Sequence, residues 1–197
     1  MLNFSNTKFL YSAVDKNIKH DKFQLAFMGR SNVGKSSLIN DLCQNKHLSK
    51  ISSKPGKTRL INFFEVSHKI YLVDLPGYGF AKVSKKIRDG FSEMIENYFI
   101  QNNSSVLVVV LLDIRHLPTE EDKQLIEWLN FHNVPYQIVF TKCDKIATTK
   151  LTAHAEKNLA SFPLISNPSY LLYSIKDKKA HKNLTKILKK KMEDGVN

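Results

Sequence analysis

The sequence predicts an α/β fold: a six-stranded, mostly parallel sheet with one antiparallel strand and helices on both faces. Three observations point there. Apolar runs of strand length alternate with helix-length amphipathic stretches along most of the chain. One run, Val106 to Leu112, is continuously valine or leucine, the mark of a strand buried on both faces of a parallel sheet. The turn Gly29-Arg30-Ser31-Asn32-Val33-Gly34-Lys35-Ser36-Ser37 lies between an apolar run at Phe23–Met28 and a helical pattern at Leu38–Cys43. Strand, glycine-rich turn and helix in that order build a phosphate-binding loop at a strand's C-terminal end.

Residues 1–22 read as a short leader that packs on the domain through Phe9, Leu10, Tyr11, Ala13 and Val14, and residues 23–197 as the domain itself. After the first helix comes a basic, aperiodic loop over 44–59, of a length that tends to be functional. Leu60–Val66 and Lys69–Leu75 flank Ser67-His68 as a hairpin, which supplies the antiparallel strand. A helix follows over Lys86–Ile100, with Ile87, Phe91, Ile95 and Phe99 along one face. Thr119–His132 opens on three acids, as a helix N-terminus does. Tyr136–Phe140 is a further strand, Leu151–Ser161 a helix and Tyr170–Tyr173 the last strand, before a lysine-rich helix at Ala180–Met192. There is no internal repeat.

With 197 residues, 42% hydrophobic and 24% charged, the chain has the composition of one globular domain. The net charge is +12, from 30 Lys and Arg against 18 Asp and Glu. That excess favours a polyanionic partner, most simply RNA or DNA, with acidic lipid as the lesser option, or else reflects a lysine-rich proteome. The two cysteines, Cys43 and Cys143, have no metal-ligand spacing and suit a reducing cytoplasm. No secretory signal opens the sequence, and no apolar run is long enough to span a bilayer, so no membrane role is expected.

Each motif carries its own chemistry. In the glycine-rich turn, backbone N–H groups converge on phosphate oxygens, Lys35 reaches the β- and γ-phosphates, and the Ser36 hydroxyl is placed for Mg²⁺. Asp74-Leu75-Pro76-Gly77 ends an apolar strand; its carboxylate reaches the metal's hydration shell and the Gly77 N–H a γ-phosphate oxygen. Taken alone, that segment would be an ordinary strand-to-turn passage. Thr58, after Pro55-Gly56-Lys57, is the candidate hydroxyl that completes Mg²⁺ coordination only when a γ-phosphate is present, with Ser49, Ser52 and Ser53 as possible substitutes. Lys35, Thr58 and Gly77 are therefore the residues expected to act in catalysis. In Thr141-Lys142-Cys143-Asp144, an ionised Asp144 accepts from guanine N1–H and the 2-amino group, a donor pair adenine lacks. Lys142 can lay its stem along the base. Tyr173-Ser174-Ile175 falls where a last base-contacting loop belongs. The order of these pieces is that of a Ras-like P-loop G domain, and Asp144 argues against a kinase or ATPase.

The set G-R-S-N-V-G-K-S-S, K-P-G-K-T-R-L-I-N-F-F, D-L-P-G-Y-G-F-A, L-D-I-R-H and T-K-C-D-K closely resembles the EngB-type (YihA/YsxC) ribosome-biogenesis GTPases, over nearly the whole chain. The resemblance implies a monomeric GTP/GDP switch with Mg²⁺, acting in the cytoplasm on precursors of the large ribosomal subunit and their rRNA and needed for normal division. Asp113, Arg115 and His116 read as structural at a strand end. Three departures matter. The family's F-S-S at the last base loop is Tyr173-Ser174-Ile175 here. The base motif opens on Thr141 where Asn is commoner. Ras-like proteins place a glutamine after the Gly77 position to orient the attacking water, and this chain has Tyr78. Asn32 is a candidate ligand for a potassium ion that supplies the missing charge, or else it fills a tight turn. A rival reading is an RNA-binding assembly chaperone that holds GTP as a structural ligand with negligible turnover. Lys82, Lys85, Lys86, Arg88 and eight lysines between Lys176 and Lys191 give either reading a basic surface, or simply solvated helix faces.

Overall fold

A computed structural model of the chain describes residues 2–13, 21–49, 60–78, 85–102, 105–162 and 169–195, with backbone only at 85–92 and 194–195. Its strands are β1 (Thr7–Ala13), β2 (Gln24–Gly29), β3 (Ile61–Val66), β4 (Ile70–Asp74), β5 (Val106–Asp113), β6 (Tyr136–Thr141) and β7 (Tyr170–Leu172). Its helices are α1 (Lys35–Leu42), α2 (Lys85–Asn102), α3 (Glu120–Phe131), α4 (Leu151–Leu159) and α5 (Lys178–Gly195).

The strands form one sheet in the order β1-β3-β4-β2-β5-β6-β7. β3 runs antiparallel to both its neighbours, and every other pairing is parallel. The expected single antiparallel strand is thus present, but the sheet has seven strands rather than six. The extra one is β1, from the segment read as a leader. It pairs with β3 from Thr7↔Val66 to Ala13↔Ile61, across an irregularity between Phe9 and Tyr11. Ring contacts hold it in place on both faces: Phe9 meets Phe64 edge-on at 5.6 Å, and Tyr11 stacks on Phe63 at 5.0 Å.

The strand period of two sorts the core into two layers. On β5, Val106, Val108, Val110 and Leu112 join Tyr98 and Phe99 of α2, Ile126 and Leu129 of α3 and Ala155 of α4. The alternate residues Leu107, Val109 and Leu111 face Leu38, Ile39 and Leu42 of α1 and Leu184, Leu188 and Met192 of α5. The apolar side chains of α5 are four residues apart, while Lys178, Lys179, Lys182, Lys186 and Lys190 are exposed. A buried polar chain fixes the far end of α2. The Tyr98 hydroxyl donates to Gln24 Oε1 at 2.9 Å, and Gln24 Nε2 donates to Asn102 Oδ1 at 2.6 Å. No helix among the described residues is long and apolar enough to cross a membrane.

This topology puts the ends of β2, β4, β6 and β7 along one edge. From β2 the chain leaves to one side for β3 and β4 and later returns on the other side as β5. The glycine-rich turn therefore lies at the crevice where strand order reverses, where open α/β sheets bind ligands.

Candidate functional site

Gly29 closes β2, and residues 30–34 curl into the first turn of α1, whose cap is Gly34 at φ 109°. A Cβ at Gly34 would meet nothing within 4 Å, so the glycine is needed there for its left-handed backbone and not for space. Asn32 is also left-handed, at φ 63°, a region asparagine tolerates, and its side chain is exposed. That geometry is what a tight turn needs and leaves the amide open to solvent. Val33 N–H donates to the Arg30 carbonyl at 3.1 Å, which tightens the loop. Lys35 begins α1, and Ser36 and Ser37 follow in its first turn, half-buried, with the helix's unpaired N–H groups.

Asp74, at the end of β4, is 2% exposed and meets the loop head-on. Its Oδ1 pairs with the Lys35 ammonium, and its Oδ2 accepts from the Ser49 hydroxyl at 3.0 Å. Ser49 is held there by Asn40 of α1, whose amide accepts from Ser49 N–H at 2.7 Å and donates to the Ser49 carbonyl at 2.9 Å. Of the described hydroxyls considered for the metal, Ser36 and Ser49, Ser49 is therefore the one placed on the Asp74 carboxylate, and Ser52 and Ser53 lie outside the described residues. Pro55, Gly56, Lys57 and Thr58 lie outside the described residues. Beyond Asp74, Leu75 and Pro76 are buried, and Leu75 N–H donates to the Phe27 carbonyl at 3.2 Å. Gly77 then touches the P-loop: a Cβ there would lie 3.2 Å from both the Gly29 carbonyl and the Ser31 nitrogen. Tyr78 prolongs the β2–β4 pairing by one bridge to Arg30, with Ser31 N–H donating to its carbonyl at 3.1 Å.

The base-recognition elements converge from β6 and β7. The Thr141 hydroxyl donates to the Val33 carbonyl at 2.7 Å, with the Leu112 carbonyl also near at 3.2 Å. A single hydroxyl thus ties β6 to the P-loop. Lys142, at φ 60°, donates from Nζ to the Asn32 carbonyl at 2.6 Å and pairs with Asp113 at 3.0 Å. Asp113 also accepts from Arg115 at 2.7 and 2.9 Å. Burial alone would raise its pKa, but these donors outweigh burial and bring it down to about 2. Cys143 turns inward, its Sγ 3.3 Å from the Phe140 carbonyl, and burial pushes its thiol up to about 11. Asp144 Oδ1 accepts from the Ser174 hydroxyl at 2.9 Å, and Lys176 lies 3.3 Å from Oδ2. Burial opposes ionisation of Asp144, yet Ser174 and Lys176 hold its carboxyl below the usual range. The residues expected in the last base loop divide by direction. Ser174 faces Asp144, Ile175 is 55% exposed, and the Tyr173 ring runs inward to donate its hydroxyl to Asp41 of α1.

The sequence model of the 50S ribosome-binding GTPase family matches residues 24–142, from β2 through Lys142. A probable GTP-binding protein EngB of Leuconostoc citreum is 44% identical over 160 residues, covering 80% of this chain and 82% of its own. The chain belongs to the EngB family of GTP-binding proteins. The EngB protein of Oenococcus oeni is 45% identical over 154 residues, covering 77% of this chain and 78% of its own. Among solved structures, a probable GTP-binding protein EngB superposes with a TM-score of 0.68 at 22% identity, over 87% of this chain and 99% of that one. This is the P-loop GTPase fold.

Against the EngB motifs, two residues escaped notice in the sequence. Nothing in the motif pattern marks Asn40 of α1 as the amide that holds Ser49, a candidate metal hydroxyl nine residues on. Asp122 in α3 was counted only as one of several acids at a helix start. In the fold its Oδ1 accepts from the Tyr78 hydroxyl at 2.8 Å, while its Oδ2 caps α3 by accepting from the Thr119 N–H and hydroxyl at 2.8 and 3.0 Å. Burial, then the Asp122 carboxylate, push the Tyr78 hydroxyl well above its usual range, so it stays a donor. Asp113, read as structural at a strand end, orients Lys142. A cleft of about 380 Å³ lies behind the P-loop, with Arg30, Asp113, Asp122 and Lys142 in its walls.

Proposed function

We propose that this EngB-family protein is a GTP-driven switch that assists assembly of the large ribosomal subunit, working as a monomer in the cytoplasm on precursor particles and their rRNA, and that growth and division depend on it. The observation that carries the reading is the convergence of Lys35, Asp74 and Ser49 beneath a P-loop whose other wall is fixed by Thr141 and Lys142. The Lys35 ammonium and the Asp74 carboxylate meet beside the loop. With a triphosphate bound, Lys35 leaves Asp74 for the β- and γ-phosphates.

The donor set suits magnesium: hydroxyls at Ser36 and Thr58, one carboxylate at Asp74, and the nucleotide's own oxygens. When bound, the ion offsets the charge of the β- and γ-phosphates. In this reading the Gly77 N–H would meet a γ-phosphate oxygen, and Asp144 with Ser174 would read guanine. The matching family, the 50S ribosome-binding GTPases, and the exposed lysines of α5 support the large subunit as partner.

Tyr78 gives the chaperone reading its one specific support, because its side chain is committed to Asp122 and no amide is left to orient water. Single-turnover hydrolysis in potassium and in sodium at equal ionic strength, each with and without large subunits, separates the two. Unassisted turnover is expected to be slow, of the order of 10⁻⁴ to 10⁻³ s⁻¹ as in Ras without its activator. Potassium stimulation that vanishes in Asn32→Ala places the ion on that residue; stimulation by subunits alone places the missing charge on the partner. The same negligible rate in all four conditions would leave the GTP-liganded chaperone as the better account.

A further inference from the structure

We propose that Tyr78 is a positioning residue: anchored on Asp122 at the start of α3, it holds Gly77 against the P-loop in the register that reads a γ-phosphate, and so ties that register to α3. The inference rests on the GTP-binding reading and goes beyond it, since it gives the residue in the glutamine position a task other than handling water.

Three attachments define the strut. On the P-loop side, Tyr78 carbonyl accepts from Ser31 N–H at 3.1 Å, while its own N–H reaches the Gly29 carbonyl at only 3.4 Å. On the helix side, its hydroxyl donates to Asp122. Asp122 is itself fixed, because it is 3% exposed and its second oxygen is spent on the Thr119 N–H and hydroxyl that cap α3. The anchor is therefore the first turn of a packed helix. Gly77 sits between these attachments, so close to Gly29 and Ser31 that its peptide has little freedom while Tyr78 is held.

A γ-phosphate needs the Gly77 N–H in place, whereas a diphosphate does not touch it. If the strut is cut, the two backbone bonds, one of them long, must hold the segment alone. The competent arrangement is then populated for only a fraction of the time, and affinity for the triphosphate falls by that fraction. Affinity for the diphosphate does not change. The coupling is reciprocal, so the nucleotide that favours the competent register also acts on α3. That helix carries Trp128, the only tryptophan of the chain, packed on Phe99 of α2 at 5.2 Å, which makes its fluorescence a built-in reporter.

The test uses Tyr78→Phe, which keeps the ring and removes only the hydroxyl, and Asp122→Asn, which keeps an acceptor at the same position. Binding of GDP and of a non-hydrolysable GTP analogue is titrated with Mg²⁺, with Trp128 emission recorded in each bound form and melting temperature measured for each protein. Tyr78→Phe is expected to bind GDP within about twofold of the parent and the GTP analogue on the order of tenfold more weakly. The emission difference between the two bound forms, present in the parent, is expected to shrink in the variant, with Asp122→Asn in between. An unchanged ratio of the two affinities in Tyr78→Phe overturns the inference. So does equal weakening of both nucleotides with a lower melting temperature, which is the sign of a merely structural bond. No emission difference in the parent overturns the coupling to α3. Failure of the parent to bind either nucleotide would instead remove the guanine-nucleotide reading on which all this rests.

Discussion

Asp144 is useful because its two oxygens are already oriented before any base arrives. Ser174 donates to one, Lys176 and Lys145 stand 3.3 and 3.8 Å from the other, and the carboxyl is kept ionised. An acceptor-only group held in that way favours a base edge with two donors. Asp144→Asn replaces one acceptor with a donor amide, so guanine loses a partner while xanthine, whose C2 oxygen accepts, gains one. The expected cost for guanine is about 2–5 kcal/mol, as when one member of a buried charged pair is removed. Competition between GTP and XTP for the variant measures it, and an unchanged GTP affinity would remove Asp144 from the site. Lys142 is prepared in the same fashion by Asp113, which ties the base loop to the end of β5.

At the level of elements, the base loop and the phosphate loop are one unit because β6 is tied to the turn after β2. That tie is the Thr141 hydroxyl on the Val33 carbonyl. Thr141→Val keeps the shape and leaves a buried carbonyl without its donor, at a cost of about 1–3 kcal/mol. Urea denaturation is expected to show that loss, and GTP and GDP affinities are expected to fall together, since both nucleotides use the P-loop. Most of the elements were legible because each carries a strong local signal: valines and leucines on β5, acids in the first turn of α3, a leucine–methionine stripe on α5. β1 was not. Phe9, Leu10 and Tyr11 are 40–52% exposed at the sheet edge, so the strand has no inside–outside alternation to read. The phosphate and base motifs were legible because their order is a chemical requirement. The bonds from Asn40 to Ser49 and from Tyr78 to Asp122 were not, because each joins residues that only the folded chain brings together. Nor was the direction of the Tyr173 ring, whose hydroxyl meets Asp41 of α1 although the residue stands in the expected last base loop.

For the molecule as a whole, a net charge of +12 could be seen from composition, but not which surface carries it. The exposed lysines of α5 now mark one such face. Binding to ribosomal RNA through it is expected to weaken steeply with salt, with a log–log slope that shrinks by roughly one for each contacting lysine removed; filter binding at stepped salt checks this, and a slope unaltered by changing Lys182 and Lys186 to glutamine would place the contact elsewhere. The added edge strand has a different kind of consequence, one that concerns how each copy is made. β1 leaves the ribosome before its partner strand, since Thr7 pairs with Val66, which emerges only after β2 and α1 have done so. The nascent chain must keep an unpaired strand waiting, then add it to an edge that has already formed. That is the geometry by which sheets recruit strands from other molecules. A chain lacking residues 1–13 would bare the β3 edge and strip Phe63 and Phe64 of the rings that cover them. Such a chain is expected to self-associate in light scattering, and a synthetic peptide of residues 1–13, supplied as a separate strand, is expected to return it to single molecules.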